Sequence, residues 1–199
     1  MRELILKMSM SVDGFVSDLK GTNEWMFGAD QEAKAWSVEV IWNASLHIMG
    51  SRSFLAMADF WPASDMPFAP PMNQIPKAVF SSQGPAILDR IGAPSAPAEA
   101  LQPGAESWAR AYVASGDLGE EIARLKSQDG KPFIAHGGVA FARSLVARGL
   151  VDRFIFAVHP IALGVGQPLF SGLAAPMPLR LEMSRAFPGG AVAQIYRPA

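Results

Sequence analysis

The sequence predicts an α/β fold with a central, mostly parallel sheet, helices on both faces and an antiparallel hairpin at the C-terminal end. Short apolar runs typical of buried strands alternate with stretches of helical periodicity. The loops between these runs hold most of the 16 Pro and 18 Gly residues. The last two runs, 179–183 and 192–196, alternate about a Pro-Gly-Gly turn, as hairpin strands do. At 199 residues the chain predicts one domain over 1–199.

The composition excludes several function classes. Seventeen Lys+Arg against 18 Asp+Glu leave no basic surplus, so we expect no nucleic-acid partner. The chain has no cysteine, which excludes disulfides, thiolate metal sites and cysteine nucleophiles. We expect no metal, because no HExxH motif or His–carboxylate cluster occurs. No apolar run approaches a membrane span and the first residues lack a signal-peptide pattern, so we expect no membrane partner and a cytoplasmic location.

The first half of the chain predicts two strand–helix units. Residues 4–12 form an apolar run predicted as a strand buried on both faces. A helix is predicted over 31–44 with Asp30 as its N-cap. Its predicted apolar side consists of Ala35, Val38, Val40, Ile41 and Trp42. A second strand at 46–49 leads into a helix at 51–58, and 62–76, with five prolines, is predicted as an ordered loop or lid.

The second half continues the alternation. Strands are predicted at 78–81, 111–113, 132–135 and 154–158. Asp117 is predicted to cap a helix that begins at 118, and a further helix at 139–148 ends at Gly149. The stretch 84–105 has no clear pattern and is left unassigned.

The sharpest local motif is a strand followed by His136-Gly137-Gly138 and a helix start. Glycines let a ligand approach the backbone, and the N–H groups of Gly138, Val139 and Ala140 would point out of a helix N-terminus that favours anions. The motif is equally compatible with a tight turn that only packs the helix on the strand.

A second strand–helix junction carries Gly50, Ser51, Arg52 and Ser53, which offer two hydroxyls and a guanidinium to phosphate oxygens. The alternative is an ordinary helix start with a solvated arginine. Because neighbouring strands of an α/β sheet open onto one crevice, the two junctions together favour a bound dinucleotide.

Two further side chains are candidates for chemistry. Asp30 follows Trp25 by five residues, and a carboxylate in such a setting can bind or protonate a substrate, or act only as an N-cap. His136 is a candidate acid, base or hydrogen-bond donor, or a structural residue. His47 and His159 lie in or beside apolar runs and are interpreted as packing residues.

Taken in order, several motifs resemble the riboflavin-biosynthesis reductase (RibD C-terminal) domain family of the dihydrofolate-reductase-like superfamily. The resemblance covers nearly the whole chain and rests on the following segments, quoted as they stand: Met10-Ser11-Val12-Asp13-Gly14-Phe15, Trp25, Gly50-Ser51-Arg52-Ser53-Phe54, Pro76-Lys77-Ala78-Val79-Phe80-Ser81, His136-Gly137-Gly138, Gly149-Leu150-Val151-Asp152 and the closing run from His159 to Phe170.

The resemblance implies a reductase that transfers hydride from NADPH, with NADH not excluded, to a pteridine-, pyrimidine- or ribosylamine-like heterocycle, and a homodimer. It places cofactor phosphates at Gly50 to Ser53 and Gly137 to Ala140, the adenosine at Ser81 and Ser82, and the nicotinamide near Met10 and Trp25. Trp25 and Asp30 are also similar to the tryptophan and substrate-binding acid of dihydrofolate reductase, so Asp30 is the expected catalytic residue. His136 is expected to contact the substrate.

The chain departs from the family pattern at several positions. The arginines customary at the two adenosine-side motifs are absent from their usual places, where Ser51 and Ser82 stand. His136 occupies a position that is usually acidic. Three alternatives therefore stay open: a dihydrofolate reductase, a non-catalytic dimeric nucleotide-binding module, and a stress or antibiotic-modifying protein with purely structural glycines.

Overall fold

The computed structural model describes residues 1–27, 30–92 and 97–199. In these ranges the strands are β1 (Leu4–Ser11), β2 (Leu46–Gly50), β3 (Lys77–Phe80), β4 (Tyr112–Ala114), β5 (Phe133–Ala135), β6 (Arg153–His159), β7 (Leu179–Ala186) and β8 (Val192–Pro198). The α-helices are α1 (Gln31–Trp42), α2 (Ser51–Phe60), α3 (Ala69–Gln74), α4 (Leu118–Lys126) and α5 (Val139–Ala147).

The strands form one sheet in the order β4-β3-β2-β5-β1-β6-β8-β7. All pairs from β4 to β6 are parallel. At the other end of the sheet, β8 runs antiparallel to β6, and β7 runs antiparallel to β8. This arrangement confirms the predicted fold class, an α/β fold with a mostly parallel sheet and a C-terminal antiparallel hairpin. The carboxyl ends of six strands therefore lie along one edge, with β1 near the middle.

Helices cover both faces because the central strands bury side chains on both sides. Leu4, Leu6 and Met8 of β1 pack with buried residues of α4 and α5. On the other face, the cluster that contains Met49 and Val79 includes buried residues of α1, α2 and α3.

Helix α1 differs from its predicted amphipathic pattern. Ala35 and Trp42 are exposed, with 39% of Trp42 accessible, and Ile41 is the member of the predicted apolar side that is fully buried. The helix ends at Trp42 rather than at 44, with Asn43 as its C-cap. The predicted apolar side was wrong because the inward side of α1 carries Ala33, Lys34, Ser37 and Ile41, which line a cavity, and this leaves Ala35 and Trp42 on the solvent side.

The proline-rich stretch 62–76 is not a loop throughout. It contains a 3-10 turn at Trp61–Ala63 and the helix α3. Prolines occupy the first turn of α3, where the missing N–H groups would have no helical partner. Four residues of α3 are buried, so the predicted lid is instead part of the protein core.

Other local predictions are confirmed. The Asp117 side chain accepts hydrogen bonds from the N–H groups of Gly119 and Glu120, and Gly149 ends α5 with φ +64°. The unassigned stretch 84–105 contains 3-10 turns at Gly84–Arg90, Ala98–Ala100 and Ala105–Ser107; its residues 93–96 lie outside the described residues. No helix in the described ranges is long and apolar enough to cross a membrane.

We predict that Leu6→Ala destabilises the fold by about 2–5 kcal/mol, because it opens a cavity in the middle of β1 where Leu6 has 0% exposure. The control is Leu19→Ala, at a residue that is 70% exposed, which should change the free energy of unfolding by less than about 0.5 kcal/mol. Urea unfolding measures both. Equal effects would contradict the assignment of β1 to the core.

Candidate active site

A cavity of about 610 Å³ opens at the carboxyl ends of the strands, on the face that carries α1, α2 and α3. Its floor comes from the central strands, and its walls come from the three helices, the Trp25 segment and the β7–β8 turn. The residues that line it include Lys7, Trp25, Asp30, Lys34, Arg52, Ser53, Trp61, His136, His159 and Gly189.

Five basic side chains cross the sheet on this face, one from each of five neighbouring strands or strand ends. We call them the basic row: Lys77, His47, His136, Lys7 and His159. Strand register places His47 opposite Lys77 and Leu6 opposite Ala135, so that Lys7 and His136 are next to each other. The row is diagonal, because His159 lies opposite Ser11, four residues beyond Lys7 along β1. Lys7, His136 and His159 line the cavity. The floor therefore carries three basic side chains, of which Lys7 bears a positive charge at pH 7.

Lys7 lies in the central strand and has no hydrogen bond or ion pair with any described residue. Burial lowers the pKa of its ammonium from 10.5 to about 8. An ammonium without a protein partner in a cavity is available to an anionic or carbonyl group of a ligand. Lys7 is therefore the cationic group best placed to meet a substrate.

His136 and His47 form a hydrogen-bonded pair below the cavity. Nε2 of His136 lies 2.8 Å from Nδ1 of His47, and Nε2 of His47 lies 3.0 Å from the carbonyl oxygen of Pro71. Burial, opposed by the Pro71 hydrogen bond, lowers the pKa of His47 to about 3. Burial and then the charges of His47 and Lys7 lower the pKa of His136 well below its usual value. Both imidazoles are neutral near pH 7.

Lys77 at the end of the basic row has a structural role. Its ammonium donates to the carbonyl oxygen of Asn73 at 2.6 Å and to the hydroxyl of Ser107. It also lies 4.7 Å from the centre of the Trp108 ring. Burial lowers its pKa to about 7, and it does not line the cavity.

Three polar atoms in the cavity wall have no hydrogen-bond partner in the described part of the chain. They are Nε1 of Trp25, Nε1 of Trp61 and Nε2 of His159. The Trp25 and His159 rings pack edge to face with centroids 5.5 Å apart. An unpaired buried donor costs about 1–3 kcal/mol, which a polar ligand would recover. The pKa of His159 is lowered by burial and by Lys7, with Asp30 opposing.

Asp30 is the N-cap of α1, as predicted, and lies at the rim of the cavity. Its Oδ1 accepts from the N–H of Ala33 at 3.0 Å, and its Oδ2 accepts from the N–H of Gly189 at 2.8 Å. A Cβ at position 189 would come within 2.6 Å of that carboxylate. Asp30 therefore joins α1 to the β7–β8 turn, and its predicted catalytic role stays a prediction.

The two glycine junctions lie side by side because β2 and β5 are neighbours in the sheet. The N–H of Gly138 donates to Oγ of Ser53 at 2.7 Å, and a Cβ at Gly138 would overlap that oxygen. The first N–H groups of α5, on Val139 and Ala140, have no carbonyl partner within the helix. This cradle of two helix starts beside Arg52 fits a phosphate-bearing nucleotide.

The other predicted cofactor residues lie farther from the cavity. Met10 packs in the core on the opposite face of β1. Ser81 is buried and its Oγ accepts from the N–H of Gln83 at 3.2 Å, whereas Ser82 is exposed. Gly50 packs against Phe141, and Ser51 begins α2. Trp25, Asp30, Arg52, Ser53 and His136 are the predicted residues that line the cavity.

Sequence reasoning missed three residues of the basic row. Lys7 was treated as part of an apolar strand, and His47 and His159 were interpreted as packing residues. The packing interpretation was incomplete for His159, which packs on Trp25 but also lines the cavity, and for His47, which bonds His136. A lysine at one alternate position of an otherwise apolar central strand was the available signal. No cluster of three or more His, Cys, Asp or Glu residues with metal-site geometry occurs within 1–27, 30–92 and 97–199.

Comparison with known proteins places these features in a family context. Residues 2–193 match the family described as RibD C-terminal domain. A Bacillus subtilis (strain 168) protein, YyaP, is 24% identical over 98% of this chain and 94% of its own length.

Two solved structures share the fold. A diaminohydroxyphosphoribosylaminopyrimidine deaminase/5-amino-6-(5-phosphoribosylamino)uracil reductase from Thermotoga maritima is 15% identical with a TM-score of 0.65, over 100% of this chain and 57% of that one. Dihydrofolate reductase from Enterococcus faecalis, complexed with NADP(H), is 12% identical with a TM-score of 0.59, and the match covers 98% of this chain and 96% of that one.

We predict that the free energy of unfolding falls as the pH drops from about 6.5 towards 3, in part through His47. In this window the unfolded chain binds a proton at His47 that the folded chain excludes, so acid favours unfolding by at most about 1.4 kcal/mol per pH unit for one group. Denaturant unfolding at several pH values measures the slope. His47→Asn should make it shallower, and an unchanged slope in that variant would contradict the burial of a neutral His47.

Proposed function

The chain belongs to the RibD C-terminal domain family, and from this membership and the cavity we propose that it is an NAD(P)H-dependent reductase of a small heterocycle. The observation that carries the proposal is the position of Lys7, His136 and His159 on the cavity floor, beside two helix starts that fit a nucleotide. Binding groups for a reductant and for a polar substrate are thus combined at one edge of the sheet.

The proposed cofactor is NADPH, with NADH as the alternative. Ser51, Arg52 and Ser53 of α2 and the N–H groups of residues 138–140 of α5 would hold its phosphates. The family resemblance implies that the adenosine lies at Ser81 and Ser82 and the nicotinamide near Met10 and Trp25, and of these four residues Trp25 lines the cavity. When bound, NADPH supplies a hydride. Support also comes from the NADP(H) complex of the Enterococcus faecalis enzyme of the same fold.

The proposed substrate is a pteridine-, pyrimidine- or ribosylamine-like molecule, by analogy with the uracil reductase activity in the name of the Thermotoga maritima protein. The cavity chemistry supports this class. Lys7, the indole N–H groups of Trp25 and Trp61, and Lys34 and Arg52 offer donors or positive charge. Carbonyl oxygens and anionic substituents of such rings would satisfy them.

The side chains of the cavity have distinct proposed tasks. Lys7 contacts a carbonyl or anionic group of the substrate and stabilises negative charge that develops there. Asp30 is the one carboxylate among the described lining residues and is the proposed group for orienting or protonating the substrate. Its oxygens each already accept one backbone hydrogen bond and each keeps a second lone pair.

Assembly and location are part of the proposal. A homodimer follows from the family resemblance, and the edge strand β7, where Leu181 is 51% exposed, is the proposed contact with a second copy. A cytoplasmic location agrees with the lack of cysteine and with the use of a nicotinamide reductant. A dihydrofolate reductase is the alternative enzyme, favoured by the Trp25 and Asp30 spacing.

The first test is titration of the purified protein with NADPH and with NADH, followed by nicotinamide fluorescence and thermal shift. Binding to the folded state alone raises the apparent Tm by mass action. We expect micromolar NADPH binding and then NADPH oxidation with pterins or ribosylaminopyrimidines. Binding without turnover on these and on dihydrofolate would support a non-catalytic nucleotide-binding module, and no binding of either nucleotide would refute the reductase.

We predict that Gly138→Ala weakens nicotinamide nucleotide binding by about tenfold, because the new Cβ would overlap Oγ of Ser53 at the proposed phosphate cradle. The matched control is Gly92→Ala, where an added Cβ meets no atom of the described residues within 4 Å and affinity should not change. The same titration measures both. Equal affinities for Gly138→Ala and the native protein would remove this cradle from the cofactor site.

We predict that kcat/KM falls as the pH rises through about 8, because Lys7 with its lowered pKa loses its charge in that range. Lys7→Met should lower kcat/KM at pH 7 by about 100-fold and abolish this fall. Lys34→Met, at the other lysine of the cavity wall, should leave the profile in place. A fall near pH 8 that persists in Lys7→Met would assign the titration to another group.

A further inference from the structure

We propose that His136 contacts the substrate as a neutral hydrogen-bond acceptor through Nδ1, and that His47 is a positioning residue that holds His136 in the tautomer with the proton on Nε2. The inference deepens the proposed function and rests on it. It predicts a substrate that presents an N–H or O–H donor to His136 next to a carbonyl or anionic acceptor for Lys7.

The argument begins at Pro71, whose carbonyl oxygen can only accept a hydrogen bond. This oxygen lies 3.0 Å from Nε2 of His47, so Nε2 of His47 carries the proton and donates it. His47 has 0% exposure, and no water competes for this contact. Helix α3 therefore determines the tautomer of a histidine in β2.

The next step passes from His47 to His136. A neutral imidazole with its proton on Nε2 has only a lone pair on Nδ1. Nδ1 of His47 lies 2.8 Å from Nε2 of His136, so the proton in this contact belongs to His136. His136 is thus also the Nε2–H tautomer, and Nδ1 is its unprotonated nitrogen.

The surroundings keep His136 neutral. The charged and titratable groups near it come from β1, β2, β3 and β6: Lys7, His47, Lys77 and His159. None is acidic. Burial disfavours a charged His136, and the ammonium of Lys7 beside it would repel a positive imidazolium. The nearest acid of the cavity wall, Asp30, already accepts the N–H groups of Ala33 and Gly189.

Nδ1 of His136 is therefore an acceptor without a partner in the described part of the chain. His136 is half-buried and lines the cavity beside Lys7. An acceptor next to a cationic donor complements the adjacent N–H and C=O groups of a lactam edge. A carboxylate at this position would favour a protonated ring, whereas a neutral imidazole beside Lys7 favours a neutral or anionic one.

The direct test is ¹⁵N NMR of the full chain labelled at histidine, with and without NADPH. The chain has three histidines, so each can be assigned by single substitution. At pH 7 we expect both His47 and His136 to be neutral, with the proton on Nε2 and an unprotonated Nδ1. A proton on Nδ1 of His136 would overturn the inference, whether or not the protein is a reductase.

Two variants test the positioning role of His47. His47→Asn places an amide oxygen near the former Nδ1 and should keep the His136 tautomer, whereas His47→Leu removes the acceptor and should give a mixture of tautomers. The His159 resonances in the same spectra report whether each variant is folded. If His47→Leu folds and the tautomer is unchanged, His47 has no positioning role.

Substrate pairs test the contact itself. For a heterocycle that the enzyme reduces, replacing the ring N–H beside the carbonyl with N–CH₃ should lower kcat/KM by about 10- to 100-fold, because a buried acceptor loses its donor. His136→Phe should reduce this preference to less than about threefold. An unchanged preference in that variant would overturn the inference. Failure to reduce any compound would refute the reductase, while the NMR result still decides the tautomer.

Discussion

The structure depends on one constraint: a sheet covered by helices on both faces carries ionisable side chains in its central strands. Lys7, His47 and Lys77 all point into the face covered by α1, α2 and α3, where desolvation disfavours their charged forms. Each must be paired, neutral or open to a cavity. Lys77 is paired, His47 is neutral, and Lys7 faces the cavity.

The cavity lies where basic side chains reach the carboxyl ends of the strands. His136 and His159 lie at the carboxyl ends of β5 and β6, whereas Lys77 and His47 lie near the amino ends of β3 and β2 and are buried. Asp30 holds the first turn of α1 against the β7–β8 turn through the N–H of Gly189. The same carboxylate thus caps a helix and joins two elements that line the cavity.

The two helix starts and the basic row are linked by neighbouring strands. His136 ends β5, and the next residues, Gly137 and Gly138, lead into α5, where Gly138 bonds Ser53 of α2. A change in the backbone at Gly138 would therefore move both the proposed cofactor cradle and the proposed substrate acceptor. Such proximity suits a reaction in which a reductant and a substrate must lie in contact.

The sequence by itself determined the alternation of strands and helices, the C-terminal hairpin, the Asp30 and Asp117 caps and the position of both glycine junctions. These features depend on local periodicity, capping and turn residues, which a short segment contains. It could not determine that α3 forms within a proline-rich segment, because burial of its apolar residues against α1 and α2 decides this. Only the tertiary structure brought Lys7, His47, His136 and His159 from separate strands into one row. Strand order and register decide which side chains become neighbours, and both depend on contacts between residues far apart in the chain.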